Sequence, residues 1–350
     1  MFNNLVVGLK QGLTSHSNMR DLIEQFPSQI KASTDALKNF DSSSHEKIAK
    51  GFDPSSVLIL GMGVSGIGGA IASSVLNNSS TIPVVANADY SIPNWVREDT
   101  LVVACSYSGN TEETLSAVDA AAKKAATICC VTSGGKLGEL ASKGGWPVVS
   151  VPGGFPPRSQ FAQSFIGLSW TLNQFGIFPD SMLSDLKKTS ESTSKGYEST
   201  VERATALETL LSGKNIHIYS DPVMASVATR WRQQLNENSK LLVNTQVFPE
   251  LNHNELVGWA AGGSDDVVII FRTPEDHERT QHRMDLSAEI FQEMGADVVF
   301  VEAEGANAME RLMDLVFLGD FLSLLLAESA GVDPVEIDNI IRLKTALDKI

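Results

Sequence analysis

The strongest constraint on this chain is an alternation that repeats along most of its length. A short apolar run stops at a glycine or a hydroxyl residue, a helix-forming stretch follows, and the pattern starts again. The first run, Val57-Leu58-Ile59-Leu60, is too short for a buried helix and stops at Gly61. Further runs at 83–86, 101–105, 127–131 and 147–151 read as strands, with helices reaching residue 76, over 111–125 and over 161–175. Residues 178–212 are polar and rich in Ser, Thr, Lys and Glu, which suits a helical connection. The rhythm then resumes, with strands at 216–219, 243–248, 267–271 and 297–301. Helices are expected over 222–235, 276–294 and 308–328, and from residue 334 onward. Ahead of all this, Leu22, Ile23, Phe26 and Ile30 have helical spacing within 17–50 and predict one or two leading helices. Strands alternating with helices form a mainly parallel sheet covered on both faces. The expected fold class is therefore α/β, with two doubly wound domains and flanking helices. The 350 residues fit two domains. The expected segments are 1–50 (helical), 51–178 (first domain), 179–212 (connection) and 213–350 (second domain with C-terminal helices).

Charge and composition narrow the partners. Lys and Arg number 27 against 42 Asp and Glu, a net charge of −15. Such a surface repels nucleic acid and anionic membranes. No apolar run reaches the roughly 20 residues of a membrane span. Residues 1–13 lack a basic start and a long apolar core, so no signal peptide is expected. The three cysteines, Cys105, Cys129 and Cys130, lie in or at the end of strand-like runs and form no CxxC pair, which fits reduced core thiols and a cytoplasmic protein. In so acidic a chain, a phosphate ligand must be held locally by backbone N–H groups, helix N-termini and hydroxyls.

Two loops offer that chemistry. Gly61-Met62-Gly63-Val64-Ser65-Gly66 directly follows a strand and matches GxGxxG. A dinucleotide site also wants an acidic residue about 20 positions on, and Asp89 comes too late for it. Ser106-Tyr107-Ser108-Gly109-Asn110-Thr111-Glu112-Glu113-Thr114 follows another strand and places three hydroxyls around a glycine. Asn110 with Glu113 fits an N-cap and its capping-box partner, so a helix should begin there with its positive end toward the loop. The alternative is a polar turn with a good cap. Val131-Thr132-Ser133-Gly134-Gly135-Lys136-Leu137 is either a third wall of the same site or a plain turn. Glu275-Asp276-His277-Glu278 and His282 suggest metal ligands, but the two histidines lie five apart, not four, and acidic residues suit a first helical turn. No metal is expected.

Taken in order, these three loops resemble the sugar isomerase (SIS) fold. Pro152-Gly153-Gly154-Phe155-Pro156-Pro157-Arg158 and Pro249-Glu250-Leu251-Asn252-His253-Asn254-Glu255 narrow the resemblance, from about residue 52 to the C-terminus, to the bifunctional phosphoglucose/phosphomannose isomerases of archaea and bacteria. The resemblance implies two SIS-type domains and aldose–ketose isomerisation of glucose 6-phosphate, and of mannose 6-phosphate, to fructose 6-phosphate, with no cofactor. It implies Glu237 as the base, His253 and Lys344 in ring opening, and Arg158 holding the enediolate. Gly63, Ser65, Ser106, Ser108 and Thr111 would hold the phosphate. It also implies a homodimer, in which His253 of one subunit can serve the other. On spacing alone each residue has a plainer reading: Glu237 a solvated cap, His253 a loop histidine, Arg158 a surface charge, Lys344 a solvated helix residue. The chain departs from the family pattern at Val64, often glycine, and at Val335, often a threonine that helps the mannose epimer react. A sugar-phosphate-binding SIS regulator without turnover, or an isomerase of another phosphosugar, are the alternatives.

Overall fold

The computed structural model describes residues 18–350. The first part of the 1–50 segment, including the stretch expected not to be a signal peptide, lies outside the described residues. The chain forms two compact units. One holds Gln25–Lys195 with Gly305–Met313; the other holds Asn18–Glu24, Gly196–Glu304 and Asp314–Ile350.

Three helices lead the chain, α1 (Met19–Glu24), α2 (Phe26–Lys38) and α3 (Ser43–Ala49), where the sequence suggested one or two. The first sheet contains β1 (Ser56–Leu60), β2 (Val84–Asn87), β3 (Thr100–Ser106), β4 (Thr127–Thr132) and β5 (Val148–Ser150), all parallel, in the order β2-β1-β3-β4-β5. The helices α4 (Gly63–Leu76), α5 (Glu112–Lys123), α6 (Gly135–Gly144), α7 (Phe161–Gln174) and α8 (Asp180–Lys195) complete this unit. Leu58, Leu60, Val102, Ala104, Ile128 and Cys130 form one buried face with Ala117, Val118, Leu137 and Ala141 of α5 and α6. Ile59 and Val131 face the other way. A Cβ on Gly69 of α4 would come within 2.7 Å of Ile59 Cγ2, and one on Gly167 of α7 within 3.1 Å of Val131 Cγ1. Burial on both faces is why these strands read as unbroken apolar runs rather than alternating ones.

The second unit contains α9 (Tyr197–Leu211), β6 (Asn215–Ser220), α10 (Ala225–Glu237), β7 (Val243–Val247), the one-turn α11 (Glu255–Gly258), β8 (Asp266–Arg272), α12 (Glu278–Glu293), β9 (Asp297–Glu302) and α14 (Asp338–Leu347), together with most of α13 (Ala308–Ser329). Its sheet is also all parallel, in the order β7-β6-β8-β9. The two sheets thus repeat one strand order. The polar 178–212 stretch is helical as expected, as α8 and α9. Besides shifts of one to three residues at other element ends, three differences from the sequence reading bear on the site. α10 runs on to include Glu237. The last helix starts at Asp338 rather than Pro334, since a turn at 333–336 intervenes. The loop at 131–137 runs into a full helix, α6, whose three glycines hid it. No helix among the described residues is long and apolar enough to cross a membrane.

Candidate active site

In the order β2-β1-β3-β4-β5 the chain reverses its winding direction between β1 and β3. Open α/β sheets bind ligands in the crevice beyond the carboxyl ends of such strands. Gly61–Gly66 leaves β1 and Ser106–Thr111 leaves β3, so both glycine-hydroxyl loops open at this crevice.

Gly63 opens α4 with φ +53°, a left-handed conformation that suits glycine. Ser65 is buried, and its Oγ accepts a hydrogen bond from the Tyr107 N–H at 3.2 Å, which ties the first loop to the second. Ser106 Oγ lies 3.0 Å from Thr111 Oγ1 across the base of the second loop. Ser108 is exposed, and its Oγ accepts from Asn110 N at 3.2 Å. The third loop braces the second. Ser133 N and Oγ donate to Tyr107 O at 3.1 and 2.6 Å, and Leu137 N donates to Gly109 O at 2.9 Å.

Here one expectation is corrected. Asn110 does not cap α5; its Oδ1 accepts from Lys136 N at 3.1 Å, in the third loop. The capping position belongs to Thr111, whose side chain makes no capping bond. α4 and α6 likewise begin without a side-chain cap. α4 and α5 therefore start in bonded loops with first-turn amides that no capping side chain engages, while in α6 the Lys136 amide is taken by Asn110. Their dipoles and free N–H groups give these loops the chemistry that suits an anion, held by backbone as a chain of net charge −15 would need.

Arg158 lies in the short 3-10 helix Pro157–Gln160 and is only 4% exposed, so it is no surface charge. Tyr107 connects its segment to the glycine-hydroxyl loops: the Phe155 N–H donates to Tyr107 Oη at 3.2 Å. The sequence reading passed over Tyr107. Its only signal was an aromatic residue between two serines at a strand end, and burial pushes its phenol up from the ordinary value.

The remaining expected residues lie in the second unit. Glu237 is the last residue of α10 and half-buried. The two residues after it are buried and pinned to α13: Asn238 Nδ2 donates to Ser323 Oγ at 2.9 Å, and Ser239 Oγ to Ser323 O at 2.6 Å. A turn upstream, Arg230 and Gln234 both donate to the buried Asp320 of α13, at 2.6 and 2.8 Å. His253 ends a 3-10 turn, Glu250–His253, and is exposed. Its neighbours hold the segment: Asn252 Nδ2 donates to Ser287 Oγ at 2.8 Å, and Asn254 Nδ2 to Glu250 Oε1 at 3.0 Å. Tyr219, on β6, donates its hydroxyl to Glu255 just beyond. Lys344 lies on α14, none of whose residues is buried. The structure thus gathers Gly63, Ser65, Ser106, Ser108, Thr111 and Arg158 in one unit, and Glu237, His253 and Lys344 in the other.

The His and acidic cluster near α12 serves structure. His277 caps the helix, its Nδ1 accepting from Arg279 N at 3.1 Å. Asp276 accepts from Thr273 N and Oγ1, both at 2.8 Å. Among the described residues no three His, Cys, Asp or Glu side chains are grouped as metal ligands.

Comparison with known proteins bears on both units. Residues 52–142 match the SIS domain family, and residues 200–347 match the bacterial phospho-glucose isomerase C-terminal SIS domain. A bifunctional phosphoglucose/phosphomannose isomerase from Aquifex aeolicus is 36% identical over 308 residues, 87% of this chain and 94% of that protein. One of the same name from Caldicellulosiruptor bescii is 35% identical over 95% of this chain and 99% of its own. Among solved structures, a putative phosphosugar isomerase from Clostridium difficile superposes with a TM-score of 0.72 at 16% identity, over 91% of this chain and 95% of that one, which speaks to the fold alone. Identity of this size over nearly the whole length of both proteins, on a fold whose glycine-hydroxyl loops lie at the winding reversal, places the chain in the bifunctional phosphoglucose/phosphomannose isomerase family.

Proposed function

We propose that this protein interconverts glucose 6-phosphate and mannose 6-phosphate with fructose 6-phosphate at a single kind of site. Family membership along nearly the full chain carries this reading. The glycine-hydroxyl loops support it, since they suit a phosphate monoester.

In the proposed mechanism the loops with Gly63, Ser65, Ser106, Ser108 and Thr111 hold the phosphate. His253 and Lys344 move the protons that open the ring, between O5 and O1. Glu237 takes the proton from C2. The electron pair forms the C1–C2 double bond, and the C1 carbonyl becomes an enediolate oxygen, whose charge Arg158 offsets. Glu237 returns its proton to C1, and the proton on O2 passes to O1, leaving the ketone at C2. Glucose and mannose 6-phosphates differ only at C2, which becomes planar in the enediol, so both give one product. The protein acts as a homodimer, with His253 serving the partner's site. It works in the cytoplasm, at a step shared by glycolysis and gluconeogenesis. Three buried free cysteines support that compartment.

The test is a coupled assay of purified protein in EDTA, following fructose 6-phosphate formed from each aldose phosphate. Turnover of both is expected. Turnover of glucose 6-phosphate alone would restrict the enzyme to one epimer and implicate Val335 and Val64. Turnover of neither would overturn the reading.

A further inference from the structure

Lys240 follows the Glu237-Asn238-Ser239 segment and has a backbone angle, φ +59°, that glycine adopts far more readily than lysine. Such a conformation is kept at a side-chain-bearing residue where the surrounding structure over-determines it. The ammonium supplies the reason. Nζ donates to the backbone carbonyls of Glu237 at 2.7 Å, Asp333 at 2.6 Å and Glu336 at 3.0 Å. An ammonium has three N–H donors, enough for these three acceptors, and the Asn238 carbonyl lies farther off at 3.5 Å. The nearest Glu336 carboxylate oxygen is farther, at 3.9 Å. The geometry is a clamp on main-chain oxygens rather than a surface ion pair.

What the clamp joins is informative. One acceptor is the carbonyl of Glu237 itself, where α10 ends. The other two belong to the turn at 333–336, which contains Val335 and leads directly into α14 and Lys344. α14 buries none of its own residues. Its placement within this unit therefore depends on the turn in front of it. Within the turn, the Asp333 carboxylate accepts from Val335 N at 2.8 Å and the Glu336 carboxylate from Asp338 N. Those bonds shape the turn locally but do not fix it to α10.

We propose that Lys240 is a positioning residue, whose ammonium holds the backbone of Glu237 in register with the 333–336 turn ahead of Lys344. The proposal rests on Glu237 as the base and Lys344 as a ring-opening group. A lysine in this role acts only through other groups, so its loss lowers turnover and leaves the phosphate loops, in the other unit, untouched.

The experiment compares Lys240→Met, which keeps the stem, and Lys240→Gly, which also suits the backbone angle, with Glu237→Gln and wild type. It uses the full chain and glucose 6-phosphate. Both Lys240 variants are expected to fold, with kcat lowered about ten- to a hundredfold and KM changed less than about threefold. Deuterium uptake at the 333–337 amides should rise in Lys240→Met and stay at the wild-type level in Glu237→Gln. Wild-type kcat in Lys240→Met beside an inactive Glu237→Gln overturns the proposal alone. Full turnover in Glu237→Gln overturns the base assignment and the proposal with it. A loss of activity that tracks the folded fraction, with uptake at 333–337 unchanged, makes Lys240 merely structural and also overturns it.

Discussion

A methyl group at Gly109 would stand 1.8 Å from the carbonyl oxygen of Gly134, and the backbone there has φ +67°. Gly63 has a similar angle, φ +53°, but nothing lies within 4 Å of where its Cβ would be. The pair separates two effects. Gly63→Ala should cost only the left-handed backbone, about 1–2 kcal/mol. Gly109→Ala adds a collision that forces the second and third loops apart, so its loss of stability should exceed that of Gly63→Ala by about 1–3 kcal/mol. The KM for glucose 6-phosphate should also rise at least about tenfold, because the Ser106–Thr111 loop moves. Urea denaturation and steady-state kinetics check both. Equal stability losses would show that the two loops are not braced against one another. Ser65 bears on the same point. Its hydroxyl was legible from the motif as a site residue, but its partner, Tyr107 N, lies 42 residues away and could not be read from spacing. For the same reason Asn110 looked like a cap: a short polar side chain before a Glu-rich first turn fits one, yet Lys136 N takes its oxygen. Residue types at the site were legible, whereas their partners across loops were not.

Between elements, the contact of α10 with α13 decides where Glu237 stands. Gly319 lets the helices approach, since a Cβ there would fall 2.2 Å from Trp231 Nε1, and that indole donates to Leu315 O at 2.7 Å. Arg230 and Asp320 are both buried in this contact, 2.6 Å apart. Removing one partner of such a pair strands the other charge. Arg230→Met should therefore destabilise by about 3–5 kcal/mol, and Arg230→Met with Asp320→Leu should recover most of that. Thermal or urea unfolding of the two variants checks this; a double variant no better than the single would show that the pair is not a closed charge unit. In the other unit, α3 meets α7 through His45, which is fully buried between Phe40 and Trp170 and has no hydrogen-bond partner among the described residues. Burial lowers its pKa from 6.5 to about 4. The folded protein thus holds this imidazole neutral where the unfolded chain protonates it. The stability linked to it is complete above about pH 6.5 and drains away as pH falls toward about 4. In His45→Phe that share of the acid sensitivity should vanish, visible as a flatter Tm between pH 6.5 and 4. These contacts explain what the elements revealed in advance. Strands buried on both faces announce themselves as apolar runs, but α6 carries Gly135, Gly138 and Gly144 and gave no helical signal. The turn at 333–336 looked helical because Pro334 suits a first helical position as well as a turn.

For the whole molecule, the repeated strand order puts two comparable crevices in one chain, one at the winding reversal of each sheet. Their chemistry is opposite. At the ends of β1 and β3 stand glycines, hydroxyls and uncapped helix starts. At the ends of β6 and β8 stand Asp221 and Asp276, both buried. Burial, together with the neighbouring Asp221 carboxylate, pushes Asp276 up to about 6, against the hydrogen bonds from Thr273. At neutral pH the second crevice therefore holds carboxylates where a phosphate would need donors, and the net charge of −15 offers no long-range compensation. One sugar phosphate should bind per chain, whatever the oligomeric state. Calorimetric titration with glucitol 6-phosphate, which has no carbonyl to isomerise, tests this at pH 7.5. The expected stoichiometry is one per chain, and Ser108→Asp, an exposed change in the second loop, should abolish it without altering Tm by more than a few degrees. Two bound per chain in the wild type, with one surviving in Ser108→Asp, would mean that the β6–β8 crevice also takes phosphate and that its buried carboxylates are protonated or turned aside when it does.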